Sequence, residues 1–188
     1  MLEQPDTGRY AYRRVVRDLI RLVAPAEGHE GIVKAVEVGV WRGEFSAYLV
    51  AQIPNLRLYM VDAWEEIPEG HPYRSTGDEF ALLNQREWDA IHQEALDNTE
   101  FVADRRILWH CDSAEASILA GTGSMDLVFI DGAHDFSSVE TDIAAWWPKV
   151  RPGGTLCGHD FGKRRLPGVT TAVKEFCVRE LVALEIGD

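Results

Sequence analysis

Short apolar runs and helix-spaced patterns alternate along this chain. From Arg9 to Val23, the apolar residues Val15, Val16, Leu19, Ile20, Leu22 and Val23 fall near helical spacing with arginines between them, and Pro25 ends the pattern. This predicts a leading helix that packs on the domain or on a second subunit. The Ala26 to Gly31 loop feeds the β-forming run Val33 to Val38, which reads as a buried strand, and Glu44 to Gln52 reads as an amphipathic helix. Pro54-Asn55 marks a turn before a second strand, Leu56 to Val61. The stretch from Ala63 to Asn98 is longer than a plain connection. Pro68, Gly70 and Pro72 make its first part irregular, and Asp78 to Asp97 reads as a helix with Phe80, Leu83, Ile91 and Leu96 apolar. It is either a lid over a ligand or the second crossover helix with a long lead-in.

Arg106 to His110 predicts a third strand, and Ala114 to Ala120 a short helix that Asp112 or Ser113 can cap. Asp126 to Ile130 predicts a fourth strand and Ser137 to Trp147 a helix stopped by Pro148. Pro152-Gly153-Gly154 reads as a tight turn, Thr155 to Gly158 as a fifth strand, Val169 to Glu180 as a helix and Leu181 to Ile186 as a sixth strand. Strands alternating with helices predict an α/β fold: three layers, doubly wound around a mostly parallel sheet. One domain spans residues 1–188, with 1–31 as a helical lead-in and 63–100 as the insertion.

Ligands of open α/β sheets sit beyond the carboxyl ends of the strands. Those ends carry Glu37 with Gly39, Asp62, Asp112 with Ser113, Asp131 with His134, and His159 with Asp160. A full row of acids points to a polar, cationic or metal-bearing site. In the first turn, Gly39-x-x-x-Gly43 surrounds Trp41. Glycine there lets the backbone turn sharply and approach a ligand, and the following helix offers free N–H groups. The spacing is neither G-x-G-x-x-G nor a P-loop. It suits a nucleoside carrying a positive charge better than one carrying a pyrophosphate. Asp131 and Asp160 end adjacent strands, and two buried carboxylates repel unless a cation joins them. A hard divalent ion such as Mg²⁺ resolves this. His134, three residues past Asp131, is suited to taking a proton from a substrate hydroxyl.

The segment Glu37-Val38-Gly39-Val40-Trp41-Arg42-Gly43 resembles the first motif of the class I S-adenosylmethionine-dependent methyltransferases. The pairing of Asp131-Gly132-Ala133-His134 with Pro152-Gly153-Gly154 and His159-Asp160 is similar to the macrocin-O-methyltransferase and cephalosporin-hydroxylase-like branch. The resemblance covers Val33 to about Ile186. It implies the class I methyltransferase fold and S-adenosyl-L-methionine as cofactor. The implied reaction is methyl transfer to a hydroxyl of a small molecule, a sugar or natural product, with help from Mg²⁺ or Mn²⁺. Cofactor contacts would come from Glu37, Gly39, Trp41, Gly43, Ser46, Asp62, Ala63, Asp112, Ser113 and Asp131. Among these, Asp62 would meet the ribose hydroxyls, and Asp112 and Ser113 the adenine. His134 would be the base, with Asp131 beside it in catalysis, and Asp131, Asp160 and His159 would hold the metal. The branch places an acid where this chain has His159, which favours a softer ion than Mg²⁺. The family also adds a seventh, antiparallel edge strand after the sixth, and the pattern reaches Gly187-Asp188 without one.

Bulk properties narrow the setting. The chain has 188 residues, enough for one sizeable core, and no apolar run approaches the roughly 20 residues of a membrane span. Met1 to Asp6 has neither a basic nor an apolar signal region. Cys111, Cys157 and Cys177 are odd in number and widely spaced, which argues against a disulfide framework or a zinc site and fits the cytoplasm. A net charge of -12 disfavours nucleic acid and anionic membranes as partners. The expected partner is a small-molecule hydroxyl acceptor, with a homo-oligomer built on the leading helix as a further option. Lys163-Arg164-Arg165 is either a solvated loop or a contact for an anionic substrate. His29 reads as a loop residue, His110 as a core or strand-end residue, and Trp146 and Trp147 as packing. His71, Tyr73, Trp88 and His92 are candidates for the substrate pocket. Two other readings stand beside the methyltransferase. One is an NAD(P)-dependent oxidoreductase, opposed by the first turn and by the lack of a Tyr-x-x-x-Lys pair. The other is a catalytically silent cofactor-binding or assembly module.

Overall fold

The structure, a computed structural model, describes residues 11–23 and 31–186. Arg9, the Ala26 to Gly31 loop up to its last residue, and His29 lie outside these residues. Five strands form one parallel sheet: β1 (Val33–Val38), β2 (Leu56–Asp62), β3 (Arg106–His110), β4 (Met125–Ile130) and β5 (Val150–Gly158). Their order is β3-β2-β1-β4-β5. Successive side chains of a strand point to opposite faces. Val33, Ala35, Leu127 and Phe129 therefore enter one core, and Val36, Val38, Val128 and Ile130 enter the other. Strands buried on both faces carry continuous apolar runs, which is why β1 and β4 stood out in the sequence. Helices α1 (Ala11–Val23), α2 (Glu44–Gln52) and α3 (Gln85–Asn98) cover the first face. Helices α4 (Ser113–Leu119), α5 (Phe136–Trp146) and α6 (Pro167–Glu180) cover the second. The expected three-layer, doubly wound fold is present.

The leading helix packs on its own domain. Val16 and Ile20 are buried against the sheet. Its arginines reach α2: Arg13 to Glu44 at 3.2 Å, Arg17 to the Tyr48 hydroxyl at 3.2 Å and Arg21 to the Gln52 carbonyl at 3.2 Å. Each fully buried Val or Ile of this kind stabilises the fold by roughly 1.5–3 kcal/mol.

Three expectations are corrected. Asp78 to Asp97 is not one helix. A 3₁₀ turn covers Glu79–Leu82, the chain breaks, and α3 starts at Gln85. Asn84 sets that start: its side chain accepts the Glu87 N–H at 3.1 Å while Glu87 accepts the Asn84 N–H at 2.9 Å, a reciprocal cap. Pro152-Gly153-Gly154 is not a turn before a strand but a bulge within β5. The pairing jumps from Met125 with Val150 to Leu127 with Thr155, and Gly153 takes φ 76° to absorb the extra residues. Leu181 to Ile186 is not a strand. Leu181 caps α6 in the left-handed region at φ 55°, and the segment beyond it joins no ladder, leaving Leu181 92% and Ile186 70% exposed. Smaller adjustments follow the caps. Asp112, not Ser113, caps α4, and Trp147 falls in a 3₁₀ turn, Trp147–Lys149, after α5.

Candidate active site

The chain leaves β1 toward β2 and leaves β4 toward β5, so the order reverses between β1 and β4. That is where open α/β sheets bind ligands. A cavity of about 690 Å³ opens there, within the roughly 300–1,000 Å³ of small-molecule sites. Gly39 stands at its floor with φ 87°, and a Cβ on it would lie 2.2 Å from the Asp131 carbonyl oxygen. The backbone that needs this glycine is β4's own end.

The first turn is held by Asp62. One carboxylate oxygen accepts the N–H groups of Val40 at 2.9 Å and Trp41 at 3.0 Å, and the other accepts the Trp64 N–H at 2.9 Å. The Trp64 indole N–H then donates to the Trp41 carbonyl at 2.9 Å. Trp41 and Trp64 both sit in the left-handed region, at φ 55° and 43°, where bulky residues are strained. Burial raises the Asp62 pKa, and the three N–H groups partly offset it. They occupy three of the about four acceptor positions of a carboxylate. Glu37 lies deeper, 2% exposed, and accepts the Ser46 hydroxyl at 2.5 Å. Burial pushes its pKa to about 8, so it holds a proton at neutral pH.

Eight of the ten expected cofactor residues line the cavity: Glu37, Gly39, Trp41, Asp62, Ala63, Asp112, Ser113 and Asp131. Gly43 and Ser46 do not. A Cβ on Gly43 would meet the Ala95 backbone at 3.0 Å, so that glycine serves the packing of α2 on α3. Ser46 is fully buried and acts only through Glu37. Asp112 and Ser113 also have structural work. Asp112 accepts the Ala114 N–H at 2.8 Å, and the Ser113 hydroxyl oxygen accepts the Trp146 indole N–H at 2.9 Å.

At the other end of the cavity the structure brings Asp131, His134, His159 and Asp160 together. His134 Nε2 lies 3.2 Å from Asp160 and 3.5 Å from Asp131. His159 Nδ1 lies 2.8 Å from Asp160 and 3.5 Å from Asp131. Lys163 pairs with Asp160 as well. Burial alone would lower both histidine pKa values, but the carboxylates outweigh it. His134 is raised, and His159 reaches about 9. In return Asp131 and Asp160 are held below the usual carboxylate range despite their burial.

Three contributors here carried no usable signal in the sequence. Asp78 is 8% exposed and places an oxygen 2.8 Å from His134 Nδ1. Tyr12, on α1, sets its ring 4.4 Å from that of His159. Lys163 came from a basic run that read chiefly as a solvated loop, with a contact for an anionic substrate as the alternative. Lys163 and Arg165 line the cavity. So do His71, Tyr73 and Trp88, whereas His92 stacks outside it on Trp64 and His110, at 4.5 and 4.3 Å. Trp146 is fully buried and Trp147 packs on Phe176, as expected of packing residues.

The cluster fits a divalent ion. Asp131, His134 and Asp160 each offer one ligand atom, all within 4.8 Å of one another. Among the described residues no well-directed hydrogen bond reaches His134 Nε2 or the Oδ1 of Asp160, although charged groups stand close to both buried atoms. Mixed carboxylate and imidazole donors suit Mn²⁺, Fe²⁺ or Zn²⁺ better than Mg²⁺.

A family model described as a methyltransferase domain matches residues 36–161, more than half of the chain. The chain belongs to this methyltransferase family. No curated protein sequence matches it significantly. Among solved structures, the O-methyltransferase NovP is similar with a TM-score of 0.66 at 19% identity, over 92% of this chain and 72% of its own. The calicheamicin methyltransferase CalS11 reaches 0.65 at 16% identity, over 96% and 76%. A putative caffeoyl-CoA O-methyltransferase from Staphylococcus aureus reaches 0.60 at 12% identity, over 95% and 78%. At such identities the likeness shows the fold. This methyltransferase domain thus has the Rossmann-like sheet of the class I fold, and the family match favours methyl transfer over the nicotinamide reading.

Proposed function

We propose that this methyltransferase moves a methyl group from S-adenosyl-L-methionine to a hydroxyl of a small molecule, such as a sugar or another natural product. The observation that carries the reading is one cavity joining the Gly39 turn to the Asp131–His134–Asp160 cluster. The named neighbours support oxygen as the acceptor atom, one being a TDP-rhamnose 3′-O-methyltransferase. Free cysteines and the lack, among the described residues, of any helix long and apolar enough to cross a membrane are in keeping with a cytoplasmic enzyme.

The donor, when bound, supplies an electrophilic methyl group on a sulfonium. Asp62 retains one acceptor position, enough for one ribose hydroxyl. Trp41, Asp112 and Ser113 line the same end. His134 Nε2 takes the acceptor proton as the oxygen attacks. The segment carrying Tyr73 and Asp78 covers this end and limits water. A divalent ion held by Asp131 and Asp160 would offset the carboxylate charge that raises the His134 pKa and so favour that ring as a base.

The test is label transfer from methyl-labelled S-adenosylmethionine to a panel of sugar, phenol and polyketide hydroxyls, after chelation and after adding back Mn²⁺ or Mg²⁺. Labelled methyl ether is the expected product, with more of it in Mn²⁺. No transfer to any hydroxyl, alongside transfer to an amine or thiol, would replace the reading.

A further inference from the structure

We infer that Asp78, carried by the segment between β2 and α3, is the positioning residue for His134. The inference rests on the reading of His134 as the base. Its geometry does not depend on that reading. The Asp78 side chain is 7% exposed and its Oδ2 lies 2.8 Å from His134 Nδ1. A carboxylate this buried is costly unless its oxygens are hydrogen-bonded, and His134 Nδ1 is the side-chain partner of Oδ2. The acid is not free to swing away. Its other oxygen accepts the Phe80 N–H at 3.2 Å, and its own N–H donates to Thr76 at 3.2 Å. Thr76 in turn donates to the Tyr73 carbonyl at 2.8 Å, and Gly77 turns the chain at φ 79°. Arg74 anchors the start of the segment on the Ile67 carbonyl at 2.6 Å.

With Nδ1 committed, only Nε2 of His134 faces Asp131 and Asp160. A ring flip would set carbon against the Asp78 carboxylate, and the Tyr73 ring, edge-on at 5.9 Å, closes the side. The segment therefore does more than cover the cavity. It brings the group that decides which imidazole nitrogen meets the acceptor. A buried acid fixing a catalytic ring is the logic of hydrolase triads, reached here from an insertion rather than from the sheet.

The test uses protein labelled with ¹⁵N-histidine, and His134→Gln assigns the signal. Wild type should show a strongly downfield, exchange-protected Nδ1–H proton from His134. Asp78→Asn, nearly isosteric, should lose it and lower kcat by about a hundredfold or more on any acceptor found by label transfer. Its KM for S-adenosylmethionine should stay within about twofold, because that end of the cavity is untouched. Asp78→Glu, which keeps the charge, should recover part of both signal and kcat. A wild-type enzyme without the downfield proton, or an Asp78→Asn variant that keeps it, would overturn the inference while leaving the proposed function standing. Loss of the proton with kcat unchanged would reduce Asp78 to a structural role. Absence of any methyl transfer by wild type that shows the proton would instead overturn the base assignment.

Discussion

Strand β4 carries an acid at each end, one buried and one partly exposed, and the two are treated differently. Asp126, at its start, is 6% exposed and fully answered. It accepts the Lys34 N–H at 2.7 Å and the Arg151 guanidinium at 2.6 Å, and Arg151 continues to the Val23 carbonyl at 2.5 Å. This acid ties the end of α1 to β1, β4 and β5. Asp131, just past the other end, faces two imidazoles at 3.5 Å and sits beside atoms without directed partners. The same residue type ties elements of the fold together at one end and lines the candidate site at the other. Burial and completeness of hydrogen bonding together separate the two roles.

Substitution should break this comparison most sharply. Asp126→Ala leaves the partly exposed Arg151 guanidinium and the Lys34 amide without their shared partner, a loss of about 2–3 kcal/mol. In a domain of this size that lowers the melting temperature by ~6 °C. Asp131→Asn should do the reverse, removing methyl transfer while shifting the melting temperature by only about 3 °C or less, because active-site charges are held at some cost to stability. Thermal unfolding and label transfer on both variants decide the matter. Equal destabilisation by the two would erase the distinction.

Glu37 gives a smaller and subtler effect. Burial raises its pKa from 4.5 to about 8. Between those values the unfolded chain ionises and the folded one does not, so stability falls as pH rises through that window and levels off above it. Glu37→Gln should therefore lose less melting temperature than wild type between pH 5 and pH 8, a range set by the two values above. Asp142, raised by burial to about 7, contributes equally in both proteins. Parallel curves would mean that Glu37 is already ionised inside the fold.

The central strands were legible because both of their faces are buried, so Leu127-Val128-Phe129-Ile130 reads as strand without help from neighbours. The acids at the strand ends were legible for a related reason: topology alone brings those ends together. Other features depended on partners far along the chain. Leu181 to Ile186 has a strand's composition but pairs with no strand among the described residues. Pro152-Gly153-Gly154 has a turn's composition but lies beside β4, which makes it a bulge. Gly39 was noticed as a glycine that admits a ligand, yet the atom nearest its missing Cβ belongs to Asp131. Asp78 lies 56 residues before the histidine it holds, and Tyr12 reaches His159 from the opposite end of the chain. Contacts of that range leave no periodicity to read.

The central claim is that the turn locked by Asp62 forms the donor half of the site. Calorimetric titration of S-adenosylhomocysteine into wild type and Asp62→Ala tests it most directly. Saturable one-to-one binding by wild type, lost or strongly weakened in Asp62→Ala, is the expected result. No binding by wild type, or equal binding by both proteins, would contradict the account.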